Sequence, residues 1–163
     1  MSLFESKVWW STKVASDDEF DAQHLVVANI DNDSSRADKI VVGSFGGILK
    51  IWQPLFGGYK ASHLLLEHKF DEPILQIEAG RYSSMNDLLV LCVLHFKSIE
   101  FYQFKRTKGE MNMKIVARCQ FERNAYNFIP GKFGNSEREL ICIQSEDGML
   151  SFCDLNKIFC NFF

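Results

Sequence analysis

The sequence lacks the patterns that mark several large classes of protein. No stretch longer than about ten residues carries apolar side chains at helical spacing. The longest apolar run, Leu88–Phe96, contains a histidine and is too short to cross a bilayer. The opening MSLFESKVWW has neither the apolar core of a secretory signal nor a glycine at position 2 for myristoylation. These absences argue against a helical bundle, a membrane span and a secreted protein.

An excess of basic charge is also lacking. Eighteen Lys and Arg stand against 21 Asp and Glu, which gives a formal net charge of −3. This balance provides no electrostatic reason to expect nucleic acid as a partner. The one basic cluster, Lys105, Arg106 and Lys108, is best explained as a solvated loop tip.

Cysteine pairs at close spacing are missing as well. The five cysteines are odd in number and widely spread, and four lie within apolar runs, where a free thiol behaves as a small hydrophobic group. The pattern predicts free thiols in a reducing, cytoplasmic compartment.

What the sequence does contain is a repeated hairpin pattern. In Lys39–Trp52, two short apolar runs flank Phe45, Gly46 and Gly47, and glycine is free to take the positive φ of a tight turn. The same layout of strand, polar turn and strand returns at Leu88–Phe104 and Leu140–Cys153. A recurrence at about fifty residues indicates repeated structural units.

Each repeat also contains flanking segments that read as strands. The predicted strands outside the hairpins are His24–Ile30, Leu64–Phe70, Ile74–Ala79, Met113–Phe121 and Ala125–Ile129. Four strands per repeat without helices predict an all-β chain of β-propeller blades, whereas a β-sandwich would not explain the recurring register. We expect an N-terminal arm or extra strand over 1–23, blade 1 over 24–72, blade 2 over 73–122 and a partial blade 3 over 123–163.

Three blades cannot form a closed ring, because propellers close with about four to eight. The chain is therefore expected to be part of a larger propeller or a truncated product. Its last blade would then expose an apolar face and a strand edge.

The best candidate for a metal site is the loop that contains Asp31, Asp33 and Asp38. Carboxylates in a loop ahead of IVVG resemble the calcium loops of adhesion-type propellers, but Arg36 stands where the tight turn normally needs glycine. A solvated turn is the better interpretation, and a calcium-stabilised adhesion-type propeller fragment is the alternative function. A nonfunctional truncation product is a second alternative.

Other possible sites are weaker. GSFGG resembles a phosphate cradle, but a strand follows it where a helix would be needed. The histidines at 24, 63, 68 and 95 have no second ligand at metal spacing. No arrangement typical of a catalytic nucleophile is present. We therefore predict no catalytic, cofactor-binding or metal-binding residues, no enzyme activity, no cofactor and no small-molecule substrate, and we expect a protein-interaction scaffold.

Several phrases in the chain resemble one known family. MSLF, WWST, DKIVVGSFGGILKIWQP, EPILQIEAG and RELICIQSEDGMLSF are similar to the opening of the parathyroid-hormone-responsive B1 family, BBSome subunits linked to Bardet–Biedl syndrome. The resemblance runs in order from Met1 to about Phe152. After that point the sequence departs from the family pattern, and family members are several times longer.

The resemblance carries expectations of its own. It implies an N-terminal seven-bladed propeller in a non-catalytic scaffold without a cofactor. It implies other BBSome subunits as partners and indirect membrane association through the complex and an Arf-like GTPase. It also implies transport of membrane proteins to and from cilia, with localisation to the cytoplasm, the cilium, the ciliary membrane and the ciliary base.

Overall fold

The computed structural model describes residues 7–83 and 87–155. Within them the chain is all-β, with three antiparallel sheets and two single 3-10 turns, Ala22–His24 and Ala61–His63. The first sheet has the order β1 (Leu25–Ala28), β2 (Lys39–Val42), β3 (Ile48–Trp52), β4 (Leu64–Lys69). The middle sheet has the order β5 (Gln76–Gly80), β6 (Val90–Leu94), β7 (Ser98–Thr107), β8 (Glu110–Gln120). The third sheet contains β9 (Ala125–Gly131), β10 (Leu140–Ser145) and β11 (Leu150–Cys153), with β10 in the centre.

The all-β fold and its repeating sheets are therefore confirmed. The strands lie close to the predicted segments, and the central hairpin is present as β2 and β3. A fourth strand for the third sheet was expected from residues 156–163, which lie outside the described residues. Residues 84–86, between the predicted strand Ile74–Ala79 and the hairpin that begins at Leu88, also lie outside the described residues.

Two tight turns show why the hairpins form where they do. Gly47 has a φ of 80°, and a Cβ there would lie 2.6 Å from the carbonyl oxygen of Glu72. The β7–β8 turn places both Lys108 (φ 54°) and Gly109 (φ 91°) in the left-handed region. Two successive positive φ values are typical of the type I′ turn, whose twist matches that of the flanking strands. The hairpin therefore continues as a long two-stranded ribbon.

The sheets pack face to face, and each interface has its own apolar core. Between the first and middle sheets lie Val41, Leu49 and Ile51 from one side and Leu91 and Val93 from the other. The other face of the middle sheet packs on the third sheet through a second cluster, which includes Cys92, Leu94, Phe101, Phe128, Ile141 and Ile143. Because successive side chains on a strand point to opposite faces, the middle sheet supplies both cores and is apolar on both sides.

Two side-chain amides connect neighbouring sheets through the backbone. Asn32 donates to the Leu89 carbonyl at 3.1 Å and accepts from the Leu89 N–H at 2.8 Å. Gln76 does the same with Phe128, donating to its carbonyl at 2.8 Å and accepting from its N–H at 2.9 Å. Each amide thus satisfies a complete backbone unit of the next sheet.

The N-terminal segment is an irregular arm over residues 7–21, with neither strand nor helix. The side chain of Trp10 donates from Nε1 to His63 Nδ1 at 3.0 Å. Trp9 and Trp10 also contact the rings of Phe56 and Tyr59, at centroid distances of 4.9 and 5.9 Å. The arm is therefore held by the first sheet's own loops. Residues 1–6 of the predicted N-terminal arm, 1–23, lie outside the described residues.

Replacing Gln76 by leucine tests the amide connection. The change leaves the buried N–H and carbonyl of Phe128 without their partners, which costs about 1–3 kcal/mol of unfolding free energy for each unsatisfied group. Chemical denaturation of the purified chain measures the loss. Asn112→Leu, at an exposed amide, serves as the control and should change the unfolding free energy by less than about 0.5 kcal/mol. Equal effects of the two substitutions would contradict the role of Gln76.

Candidate interaction surfaces

The acidic loop predicted as a calcium candidate surrounds an ammonium group. Lys39 begins β2 with its side chain fully buried, and its Nζ lies 2.5 Å from Asp31 Oδ1. The same Nζ donates to the Asp33 carboxylate, to Asn29 Oδ1 at 2.9 Å and to the Ala37 carbonyl at 2.7 Å. Four oxygens thus converge on a cation that the chain itself supplies. We call this group the Lys39 cage.

The geometry of the Lys39 cage explains the unusual spacing of its loop. Arg36 has a φ of 56°, the left-handed conformation that a calcium loop normally gives to glycine. Asp38 is exposed and makes no contact with Nζ, so only two of the three predicted carboxylates come together. Within the described residues, no three His, Cys, Asp or Glu side chains form a group suited to a metal ion. The Lys39 ammonium thus occupies the position between the carboxylates that a bound cation would need.

Hydrogen bonds fix the charge of one cage carboxylate. Donation from Lys39, aided by Ser35, lowers the pKa of Asp33 to about 2. The carboxylate is therefore ionised throughout the neutral range and is held by the ammonium.

The remaining polar candidates are also used structurally. His24 Nδ1 accepts from the Asp21 N–H at 2.8 Å, and its Nε2 lies 2.8 Å from the Ile74 carbonyl, so Nε2 is the donor. His95 Nδ1 lies 2.7 Å from the Pro73 carbonyl. His68 packs edge-on against Phe70 at a centroid distance of 4.6 Å. His24 and His95 thus connect neighbouring segments, while His68 makes a local ring contact.

The GSFGG segment is a turn that already holds an anion from its own chain. Its Gly46 N–H donates to the Asp18 carboxylate at 2.8 Å, so the position a phosphate would need is occupied. In the predicted basic cluster, Lys105 and Lys108 are exposed, while Arg106 donates to Gln53 Oε1 at 2.9 Å. The cluster is thus a solvated hairpin end with one anchored residue.

The thiols are poor candidates for chemistry. Cys92, Cys142 and Cys153 are free. Burial raises the pKa of Cys92 well above its usual value and that of Cys153 to about 11, so both are un-ionised at neutral pH and weakly nucleophilic.

The two outer faces of the sheet stack are further candidate surfaces. On the first sheet, Leu25 and Val27 point away from the core and are 59% and 60% exposed. On the third sheet, Ile129 and Leu150 are 63% and 61% exposed, and Phe152 is 46% exposed. These residues alternate with less exposed ones along β1 and β11, so each outer sheet also carries apolar side chains on the face away from the core. We call these surfaces the end faces.

Sequence reasoning identified Asp31 and Asp33 but missed Lys39 and the amides of Asn32 and Gln76. Lys39 stands next to an apolar run, and Gln76 stands alone in the apolar segment ILQI. An isolated polar residue within a buried strand is the signal that could have indicated a bonded partner. The partners of the two amides, Leu89 for Asn32 and Phe128 for Gln76, are not recognisable from spacing, since they lie far along the chain.

Three stacked antiparallel sheets of a repeating unit, with two uncovered end faces, define an incomplete β-propeller. Comparison with solved structures agrees. A crystal structure of BBS1N in complex with ARL6DN has a TM-score of 0.62 and 12% sequence identity, with 85% of this chain and 42% of that one covered. At this low identity the likeness concerns the fold.

The chain belongs to the PTHB1 N-terminal family, whose model matches residues 1–163. It is 41% identical over 161 residues to Protein PTHB1 of Homo sapiens and 40% identical over 163 residues to that of Xenopus laevis. These alignments cover 92% and 93% of this chain but 18% and 19% of the relatives. The chain thus spans about a fifth of the relatives' length. Within the described residues, no helix is long and apolar enough to span a membrane.

Replacing Lys39 by methionine tests the cage. The substitution leaves Asp31 as an uncompensated buried charge, which costs about 3–5 kcal/mol of unfolding free energy. The control is Lys50→Met, because the partly exposed Lys50–Glu67 pair is worth about 0–1 kcal/mol. Denaturant unfolding measures both.

The wild-type melting temperature should be the same in excess Ca²⁺ and in EDTA. A calcium-dependent rise would show that the acidic loop binds the metal and would contradict the Lys39 cage.

The pKa of Asp33 predicts an acid-sensitive contribution to stability. Because the folded pKa, about 2, lies below the ordinary value of 3.8, the contribution is present above pH 3.8 and is lost as the pH falls through about 2. Unfolding free energies of the wild type and Asp33→Asn should therefore differ most at neutral pH and converge toward pH 2. A difference that does not change with pH would show that the charge of Asp33 has no such role.

Proposed function

We propose that this chain is the opening part of the N-terminal propeller of a non-catalytic scaffold subunit of the BBSome. The observation that carries the proposal is the pair of apolar end faces in a chain of the PTHB1 N-terminal family. An apolar sheet face needs a cover, and in a propeller the next blade provides it. The aligned part of BBS1N is less than half of that chain, which leaves room for further blades.

In this proposal the blades comprise residues 24–72, 73–122 and 123–163, and the complete ring has seven blades. The ring size follows from the family resemblance. A closed ring covers both end faces and leaves the loops and blade edges available for other subunits.

A scaffold role is favoured because the candidate polar groups described above make structural contacts. The Lys39 cage, the histidine contacts and the high thiol pKa values leave no activated nucleophile or base among them. The finer role we propose is transport of membrane proteins to and from cilia, in the cytoplasm, the cilium, the ciliary membrane and the ciliary base. Membrane association would be indirect, through the complex and an Arf-like GTPase, since the BBS1N structure is of a complex with ARL6DN.

Affinity purification from ciliated cells tests the proposal. We expect the tagged protein that contains these residues to co-purify with other BBSome subunits, identified by mass spectrometry. A double variant, Val27→Asp with Ile129→Asp, should reduce this recovery, because charged end faces prevent the next blades from packing. Leu55→Asp, at a loop residue that is 54% exposed, is the control. A folded, soluble protein that recovers no BBSome subunit would contradict the proposal.

A further inference from the structure

A cleft of about 600 Å³ lies between the acidic loop of the first sheet and the β7–β8 hairpin of the middle sheet. Asn32 and Leu88 form one side of it. The hairpin forms the other, through Gln103, Lys105, Asn112 and Lys114. The cleft contains none of the exposed residues named for the end faces, and it shares Asp31 with the Lys39 cage and Asn32 with the amide connection.

Strand register places the two cleft lysines together. Lys105 is paired with Asn112, and Gln103 is paired with Lys114. Residues two apart on a strand share a face, so these four side chains form one patch with the lysines on its diagonal. Diagonal neighbours of this kind are separated by about 7–8 Å between backbone positions.

The cleft lining contains two exposed ammonium groups. Lys105 and Lys114 are exposed, and among the described residues neither ammonium has an ion pair or a hydrogen bond. The one carboxylate in the cleft lining, Asp31, is paired with the buried Lys39. The ammonium groups of Lys105 and Lys114 can therefore meet the carboxylates of a partner, although Glu110 lies on the same face of the hairpin and the chain as a whole has a net charge of −3.

The uncharged part of the lining suits an extended peptide. The amides of Gln103 and Asn112 offer both donors and acceptors to a peptide backbone. Leu88 adds an apolar contact. Acidic side chains two residues apart on an extended strand are separated by about 6.6 Å, close to the spacing of the lysine diagonal.

We propose that this cleft binds an extended acidic segment of a partner protein, with two carboxylates at positions i and i+2 facing Lys105 and Lys114. A peptide fits better than a membrane surface because the positive charge lines a concave, amide-bearing cleft. The proposal names a docking site within the scaffold role given above, but it concerns binding by this chain alone. Loss of peptide binding and absence from the BBSome are thus separate results.

Fluorescence anisotropy with a labelled peptide tests the site. The probe is Gly-Gly-Asp-Leu-Asp-Leu-Gly-Gly, and the comparison peptide has lysine in place of each aspartate. We expect the acidic probe to bind the chain, the basic one to fail, and the affinity to fall as salt rises to about 0.15 M. Equal binding of both peptides, or none of the acidic probe, would overturn the proposal.

Matched double variants test whether binding depends on the cleft lysines or only on the net charge of the chain. Lys105→Glu with Lys114→Glu should weaken binding about tenfold or more, as expected for the loss of two exposed charge contacts. Lys108→Glu with Lys132→Glu changes the net charge equally at exposed residues outside the cleft and should change affinity by less than about twofold. Thermal melts check that all variants fold. Equal weakening by both double variants would refute a specific site.

Vesicles provide the last comparison. Phosphatidylcholine vesicles with and without a phosphoinositide are mixed with the chain and sedimented. We expect no cosedimentation that depends on Lys105 and Lys114. Phosphoinositide-dependent binding that the cleft double variant abolishes, without peptide binding, would assign the cleft to a lipid headgroup and overturn the peptide proposal.

Discussion

The structure depends on one constraint: a β-sheet that is apolar on both faces needs a cover on each. The middle sheet meets it fully, with Val93 facing the first sheet and Leu94 facing the third. The first and third sheets meet it on one face, while Val27 and Ile129 on their outer faces remain exposed. The arrangement is therefore stable in its centre and open at its two ends, which is the physical form of an incomplete ring.

Polar groups fix how the sheets sit on one another. Apolar packing alone tolerates sliding, whereas the two-sided bonds of Asn32 to Leu89 and of Gln76 to Phe128 hold in one register only. The Lys39 cage organises the loop that carries Asn32, because Asp31 and Asp33 are both drawn to its ammonium. The cage thus links local loop geometry to the contact between neighbouring sheets.

The sequence was informative where the structural cause is local. The glycine at position 47 predicts the turn of the central hairpin, and alternating apolar residues predict the strands. At Asp31 and Asp33 the sequence favoured a solvated turn over a calcium site, and the pairing of Asp31 with the buried Lys39 was not foreseen because the burial of Lys39 depends on packing. The amide connections of Asn32 and Gln76 join residues more than fifty positions apart, and no local pattern encodes them. The cleft at Lys105 and Lys114 likewise could not be predicted from the sequence, because the register of the hairpin brings the two lysines together.

Paired substitutions in the chain test the open-ended arrangement most directly. Val27→Asp, on an end face, should change the unfolding free energy by less than about 0.5 kcal/mol. It should also lower self-association, which sedimentation velocity measures. Val93→Asp, between the first and middle sheets, should abolish cooperative unfolding, because it buries an unpaired charge. If Val27→Asp destabilised the isolated, monomeric chain as severely as Val93→Asp, the end face would be covered within the chain itself, and the incomplete ring would be contradicted.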